Sequence, residues 1–168
     1  MPDQLLIRDV MRIGVPTCKM EDTLQQVAAL MVDQAASALV VLDEDGDTRG
    51  WINERMLAEA YLRFAQASEA GETTDVLTAA DIMDEVVPEA PSDIPLTAAA
   101  RLMADSRVDH LFFLHRAGGR VWPASVVSHR DLIRAMAGPD YIQAQGSGAA
   151  RPTPMDLFRQ RYGLPPKK

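Results

Sequence analysis

Two stretches of this 168-residue chain repeat each other, and this internal repeat constrains the fold more than any other feature. The copies align at an offset of 72 residues, and the second gains three residues between Arg120 and Ala124, beside a turn that tolerates added length. A repeat of this size is one supersecondary unit, so we expect two similar units that bury a core together. Identical pairs are Asp9/Asp81, Met11/Met83, Val15/Val87, Pro16/Pro88, Leu24/Leu96, Ala28/Ala100, Leu30/Leu102, Met31/Met103, Leu39/Leu111 and Gly46/Gly118.

Each copy predicts the same order of elements: helix, strand, helix, strand, strand, helix. Apolar residues at steps of three and four indicate an amphipathic helix, with Asp22 or Thr23 as its N-cap in the first copy and Pro95 near its start in the second. Short apolar runs that end in turn residues indicate buried strands and hairpins. The predicted ranges are helical turns at 7–11 and 79–83, short extended pieces at 15–16 and 87–88, strands at 38–42, 48–53, 111–114 and 120–127, and closing helices at 54–67 and 129–137.

This pattern predicts an α+β fold with four segments. Residues 7–67 form the first repeat, 68–78 a linker, 79–137 the second repeat, and 138–168 a Gly/Pro-rich linker with a C-terminal tail segment. Within that tail, residues 153–164 predict a helix of about two turns, too short to be stable unless it docks on the chain itself or on a partner protein.

Composition excludes several classes of function. Seventeen basic against twenty-four acidic residues give a net charge of -7, which disfavours nucleic acid as a partner. The single cysteine, Cys18, forms no intramolecular disulfide, and the sequence predicts no metal site.

We expect a cytoplasmic protein because the N-terminus lacks a signal-peptide pattern and no stretch approaches the roughly 20 apolar residues of a membrane span. We predict no catalytic residue, since no phosphate loop or nucleophile–base pair is apparent.

The ordered segments resemble tandem CBS domains, a pair often called a Bateman module. In the first copy they are IRDVM, VPTC, TLQQVAALM, SALVVLDEDG and RGWINERML, and in the second they run from AADIM to SVVSHRDL. The resemblance implies two β-α-β-β-α repeats related by a pseudo-twofold axis, with small packed sheets and helices outside. It also implies a homodimer that is not an enzyme and that regulates a partner protein. The ligand bound between the repeats would be AMP, ADP, ATP or S-adenosylmethionine.

The family holds ribose with a pattern of Gly, two apolar residues, Ser or Thr, two variable residues and Asp. The second repeat has Ser125 in the glycine position, followed by Ser128 and Asp131 at the matching positions. A carboxylate accepts hydrogen bonds from both ribose hydroxyls, and a small hydroxyl residue suits a helix start that meets a phosphate. In the first repeat, Asn53 stands at the Ser/Thr position of the pattern and Met56 at the Asp position, so the resemblance implies one adenosine site and not two.

The resemblance also assigns the remaining contacts of that site. It places Val15, Pro16, Ser37 and Ala38 around the adenine, and His129 or Arg130 within reach of a phosphate. Trp51, beside the first repeat's altered pattern, would fill that repeat's cleft.

Two plainer interpretations stay open. Ser128 and Asp131 would also suit a helix N-cap and first-turn acid without any ligand. The chain would then be a dimeric adaptor that recruits a partner through its C-terminal tail, with both clefts degenerate.

Overall fold

The computed structural model describes residues 5–71 and 76–143. Apart from the first strand of each copy, its elements come in the predicted order, and the observed bounds follow. They are α1 (Ile7–Val10), β1 (Arg12–Ile13), β2 (Thr17–Lys19), α2 (Leu24–Asp33), β3 (Ala38–Leu42), β4 (Thr48–Asn53), α3 (Glu54–Glu69), α4 (Ala79–Ile82), α5 (Leu96–Ser106), β5 (His110–Ala117), β6 (Arg120–Ser128), α6 (His129–Ala137) and α7 (Pro139–Gln143). The α+β fold class is confirmed, with two small three-stranded sheets.

The chain forms two compact units that do not coincide with the sequence repeats. The first-repeat unit contains Val15–Val87 and the hairpin tip His115–Trp122, so far as these are described. The second-repeat unit contains the described parts of Met1–Gly14, Pro88–Leu114 and Pro123–Lys168. The N-terminal segment therefore folds with the second repeat.

The first-repeat unit is built on a sheet of order β2-β3-β4. Strand β2 runs parallel to β3, with Thr17 opposite Val40, and β3 is antiparallel to β4, with Ala38 opposite Asn53. The helices α2 and α3 and the short helix α4 complete the unit. Its buried core consists of Cys18, Val27, Met31, Ala36, Leu39, Val41, Ile52, Ala60, Ala79 and Ile82.

The second-repeat unit is built on a sheet of order β1-β6-β5. Strand β1 is antiparallel to β6, so that Arg12 lies opposite Val126 and Ile13 opposite Ser125. The core of this unit consists of Ile7, Val10, Ala90, Leu96, Ala99, Met103, Leu111, Val127 and Ala135. The apolar positions that repeat in the sequence thus build one similar core in each unit.

The extended piece around Val15 and Pro16 differs from the prediction. The sequence suggests one short strand there, whereas the structure has β1 before these two residues and β2 after them. Gly14, at φ 82°, adopts the left-handed conformation that suits glycine, and Pro16 has no N–H to donate to a ladder. In the second copy the same piece forms only an isolated parallel bridge between Glu89 and Phe112.

Helix boundaries follow local capping chemistry. Thr23, and not Asp22, is the N-cap of α2, because its Oγ1 accepts a hydrogen bond from the Gln26 N–H at 3.3 Å. The Gln26 side chain accepts in return from the Thr23 N–H at 2.8 Å, which completes a capping box. Helix α3 extends to Glu69 rather than residue 67, and α6 spans the predicted residues.

The start of the C-terminal segment is helical where we expected a linker. Residues Pro139–Gln143 form α7, with proline at the first helical position, where its missing N–H costs no intrahelical bond. The predicted tail helix at 153–164 lies outside the described residues. Within the residues that are described, no helix is long and apolar enough to cross a membrane.

Cys18 is a small core residue. It lies on β2 and is 4 % exposed. Burial, together with the nearby carboxylate of Asp22, raises the pKa of its thiol to about 12. The thiol is therefore protonated at neutral pH and a poor nucleophile or metal ligand.

Candidate functional site

The junction of β6 and α6 holds Ser128 and Asp131, which the structure brings into direct contact. The backbone N–H and the side-chain hydroxyl of Ser128 both donate to Oδ2 of Asp131, each at 2.8 Å. Ser128 is the N-cap of α6 and Asp131 the third residue of the helix, so the pair forms one side of a capping box. Asp131 is only 1 % exposed. The two residues therefore lie at the N-cap and in the first turn of α6, an arrangement that is compatible with a ligand role.

Two arginines surround the Asp131 carboxylate. The Arg12 Nε lies 3.8 Å from Oδ2, and the Arg134 Nη1 lies 3.5 Å from Oδ1. Arg12 reaches the acid because β1 pairs with β6, whereas Arg134 lies one helical turn beyond it on α6. A buried carboxylate needs such partners, because removing a charge from water without compensation is very costly.

His129 and Arg130, the predicted phosphate contacts, lie on the first turn of α6. Both side chains are exposed. The His129 backbone N–H donates to the carbonyl oxygen of Asp109 at 3.1 Å, which ties the start of the helix to the residue before β5. Their side chains are accessible to an anion, and their contact with phosphate stays a prediction.

In the first-repeat unit the corresponding junction of β4 and α3 has different chemistry. Asn53 is the N-cap, and its side-chain oxygen accepts from the Met56 N–H at 2.9 Å. Met56 takes the position that Asp131 has in the second repeat and packs against the core of its unit. A thioether is at best a weak acceptor, so this position offers nothing suited to a ribose diol.

Gly50 and Ser125 occupy the same repeat position and show why one is glycine. A Cβ on Gly50 would lie 2.7 Å from the Asp84 carbonyl oxygen and 2.8 Å from the Met83 sulfur. Ser125 instead has room for its side chain, and its hydroxyl donates to the sulfur of Met11 at 3.1 Å. Met11 is the repeat counterpart of Met83. Serine in the glycine position is thus accommodated in the second-repeat unit.

The four residues predicted to surround adenine all belong to the first-repeat unit. Parallel pairing of β2 and β3 brings their two segments side by side, and the Pro16 carbonyl accepts from the Val40 N–H at 3.0 Å. Val15, Pro16 and Ser37 are partly exposed, while Ala38 is buried. A role for them in binding a base stays a prediction.

Trp51, which the sequence suggested as a plug for the first repeat's cleft, is 3 % exposed. Its backbone exchanges two hydrogen bonds with Asp84, each 3.0 Å long. The indole ring is therefore buried next to the altered binding pattern. That it closes a ligand site stays a prediction.

A small cavity lies in the second-repeat unit beside Met11, Phe112 and Ser125. Its empty volume is about 170 Å³, below the roughly 300–1,000 Å³ of typical ligand pockets. We interpret it as a packing gap. Among the residues that the structure describes, no group of three or more His, Cys, Asp or Glu side chains is placed to bind a metal ion.

Arg12 and Arg134 are the residues that sequence reasoning missed. Arg134 follows Asp131 by three residues on a helix, a spacing at which opposite charges meet, so the sequence contained that signal. Arg12 had no such signal, because its approach depends on the pairing of β1 with a strand more than 100 residues away.

Comparison with known protein families decides what this arrangement belongs to. The CBS domain model matches the chain twice, over residues 7–63 and 73–138, which together make up most of the sequence. The chain belongs to the CBS-domain family. Its two repeats are a CBS-domain pair, as the resemblance of their segments implied. No curated protein matches the chain significantly.

Solved structures show the same fold at low sequence identity. An uncharacterized conserved protein from Pyrococcus horikoshii has a TM-score of 0.64 and 21% identity, over 83% of this chain and 97% of its own. The CBS-domain pair of protein MJ0100, solved with 5′-methylthioadenosine and S-adenosyl-L-methionine, has a TM-score of 0.64 and 20% identity, over 79% and 99%. The CBS-domain-containing protein ATU1752 from Agrobacterium tumefaciens has a TM-score of 0.63 and 21% identity, over 78% of this chain and 98% of its own.

Proposed function

We propose that this CBS-domain pair is a regulatory module that binds one adenosine-type ligand per chain and catalyses no reaction. The observation that carries the proposal is the buried Asp131 at the start of α6, held by Ser128 in the position of the family's ribose acid. The structure of MJ0100 with two adenosine-containing molecules supports the ligand class. The ribose hydroxyls would donate to Asp131.

An exchange of hydrogen bonds makes this role compatible with the capping box. The Ser128 hydroxyl donates to Asp131 at 2.8 Å. A hydroxyl rotates freely, so a ribose O–H can take its place on the carboxylate while the serine turns to a ligand oxygen. The backbone N–H of Ser128 keeps its bond, and the helix start stays intact. Ligand binding would therefore leave α6 folded.

A single site follows from the difference between the repeats. Met56 has no acceptor for a ribose diol, whereas Asp131 has a full carboxylate. Ligand would bind to one repeat and shift its conformational equilibrium. Because binding and conformation are linked, this shift would change the affinity for a partner protein. We also propose a homodimer. The ligand-independent adaptor depends on residues 153–164, outside the described part of the chain, and stays a prediction.

Calorimetric titration with AMP, ADP, ATP and S-adenosylmethionine tests the ligand role. We expect saturable binding of at least one ligand near one per chain. Asp131→Asn keeps the shape of the side chain but removes its charge, and we expect it to weaken binding by about 100-fold, because two hydrogen bonds to a charged group become neutral ones.

The matched control is Asp105→Asn, which removes an exposed carboxylate from α5 of the same unit. It should leave affinity unchanged. Binding that survives Asp131→Asn would remove Asp131 from the site, and no binding by any of the four ligands would favour the adaptor.

A further inference from the structure

We infer that Arg12 makes the Asp131 site selective for a phosphate-bearing adenine nucleotide over the cationic ligand S-adenosylmethionine. This inference rests on the proposed function, since it concerns the ligand class of the same site. It assigns a specificity role to Arg12, a residue outside the family's ribose pattern.

The Arg12 guanidinium is held close to the acid but is incompletely paired. Its side chain is 21% exposed, and Nε lies 3.8 Å from the Asp131 carboxylate, too far for a hydrogen bond. Within the described residues this Nε is buried and has no hydrogen-bond acceptor. A buried donor without an acceptor is unfavourable, and an anionic ligand oxygen nearby would relieve it.

Three arginines lie beside the Asp131 carboxylate or on the same helix. Arg12 and Arg134 both face Asp131, and Arg130 extends from the same helical turn. The other nearby carboxylate, on Asp109, contacts the ring of His110 at 2.9 Å. Among these groups the three arginines outnumber the two carboxylates, although the whole chain carries a charge of -7. A phosphate is attracted to such a surface, and a sulfonium is repelled.

The repeat provides an internal comparison. The counterpart of Arg12 at the offset of 72 residues is Asp84. The two residues also have matching backbone partners: Arg12 pairs with Val126 in the second-repeat unit, and Asp84 forms a bridge with Trp51 in the first-repeat unit. Asp84 uses its carboxylate to accept from the Val86 N–H at 2.8 Å. The fold therefore does not require a cation at this position. At this repeat position, an arginine (Arg12) belongs to the unit that also contains Asp131, and the other unit has Asp84.

The test compares three ligands that share adenosine: AMP, adenosine and S-adenosylmethionine. We expect wild-type protein to bind AMP about tenfold more tightly than adenosine, with S-adenosylmethionine weakest. Arg12→Gln should bring the AMP-to-adenosine affinity ratio close to one, while Arg12→Lys should restore part of it. Arg8→Gln, which removes an exposed arginine from α1 of the same unit, is the matched control and should leave the ratio unchanged.

A ratio of affinities separates selectivity from a purely structural role, since loss of folded protein lowers binding of all three ligands together. If Arg12→Gln does not fold, the wild type alone decides, because raising the salt concentration should weaken AMP more than adenosine. Equal affinity for AMP and adenosine, or preference for S-adenosylmethionine, would overturn the inference and leave the proposed function intact. Absence of binding by all three would overturn both.

Discussion

Gly50→Ala is expected to lower the free energy of unfolding by about 3 kcal/mol, at the upper end of the range for overpacked cores. The added methyl group would lie 2.7 Å from a backbone oxygen, that of Asp84, and backbone cannot rotate away as a side chain can. Relief would require β4 to separate from Asp84, which would break the two Trp51–Asp84 backbone hydrogen bonds. Urea denaturation followed by circular dichroism measures the change.

Ser125→Ala is the matched control at the same repeat position. It removes a hydroxyl whose bond is to the Met11 sulfur, a weak acceptor, so we expect a loss of about 1 kcal/mol or less. An equal loss of unfolding free energy in the two variants would show that the close backbone contact at Gly50 adds no cost of its own. A neutral Gly50→Ala would show that the backbone contact is not as close as the structure has it.

Asp131→Ala is expected to lower the free energy of unfolding by about 3 kcal/mol in the absence of any ligand. The substitution leaves the buried Ser128 N–H and hydroxyl without their acceptor. It also removes the counter-charge of Arg12 and Arg134. Asp131→Asn, which keeps an acceptor for Ser128, should lose less. Urea denaturation of both variants is the measurement, and the difference explains why the isosteric variant is the better probe of binding.

The capping box at α4 supplies a control with the same hydrogen bonds at an exposed position. The N–H and hydroxyl of Thr78 both donate to Asp81 at 2.8 Å, and these bonds hold the pKa of Asp81 below its usual value. Water can replace the lost acceptor there, so Asp81→Ala should cost no more than about 1 kcal/mol. Because the folded pKa is lowered, the contribution of Asp81 is present at neutral pH and disappears as pH falls through the folded value. Equal effects of Asp81→Ala and Asp131→Ala would contradict the importance of burial at Asp131.

Local chemistry explains which parts of the fold the sequence could predict. The turn residues before β4 and the apolar steps of α6 lie close together in the chain, and β4 and α6 match their predicted ranges. The destination of β1 could not be read locally, because Arg12 and Ile13 pair with residues more than 100 positions away. The sequence offered Asp22 and Thr23 as N-cap of α2, and the hydrogen bond that the Thr23 side chain accepts identifies Thr23 as the cap.

The candidate site was predictable to a similar extent. The family's ribose pattern pointed to Ser128 and Asp131, and the structure adds that they contact each other and are buried. The positive charge around them was only partly visible, since Arg134 follows Asp131 on one helix but Arg12 arrives from the other end of the chain. In our proposal the nature of the ligand depends on that charge, and the sequence alone left both phosphate-bearing and sulfonium ligands open.

The most direct test of the central claim is to follow the backbone amide NMR signals during titration with AMP. Binding at Asp131 predicts saturable shifts that are largest at Ser128 to Asp131, at the start of α6, and small at Asn53 to Met56, the matching positions of the first repeat. Shifts centred on Asn53 to Met56, or none at millimolar AMP, would contradict the account.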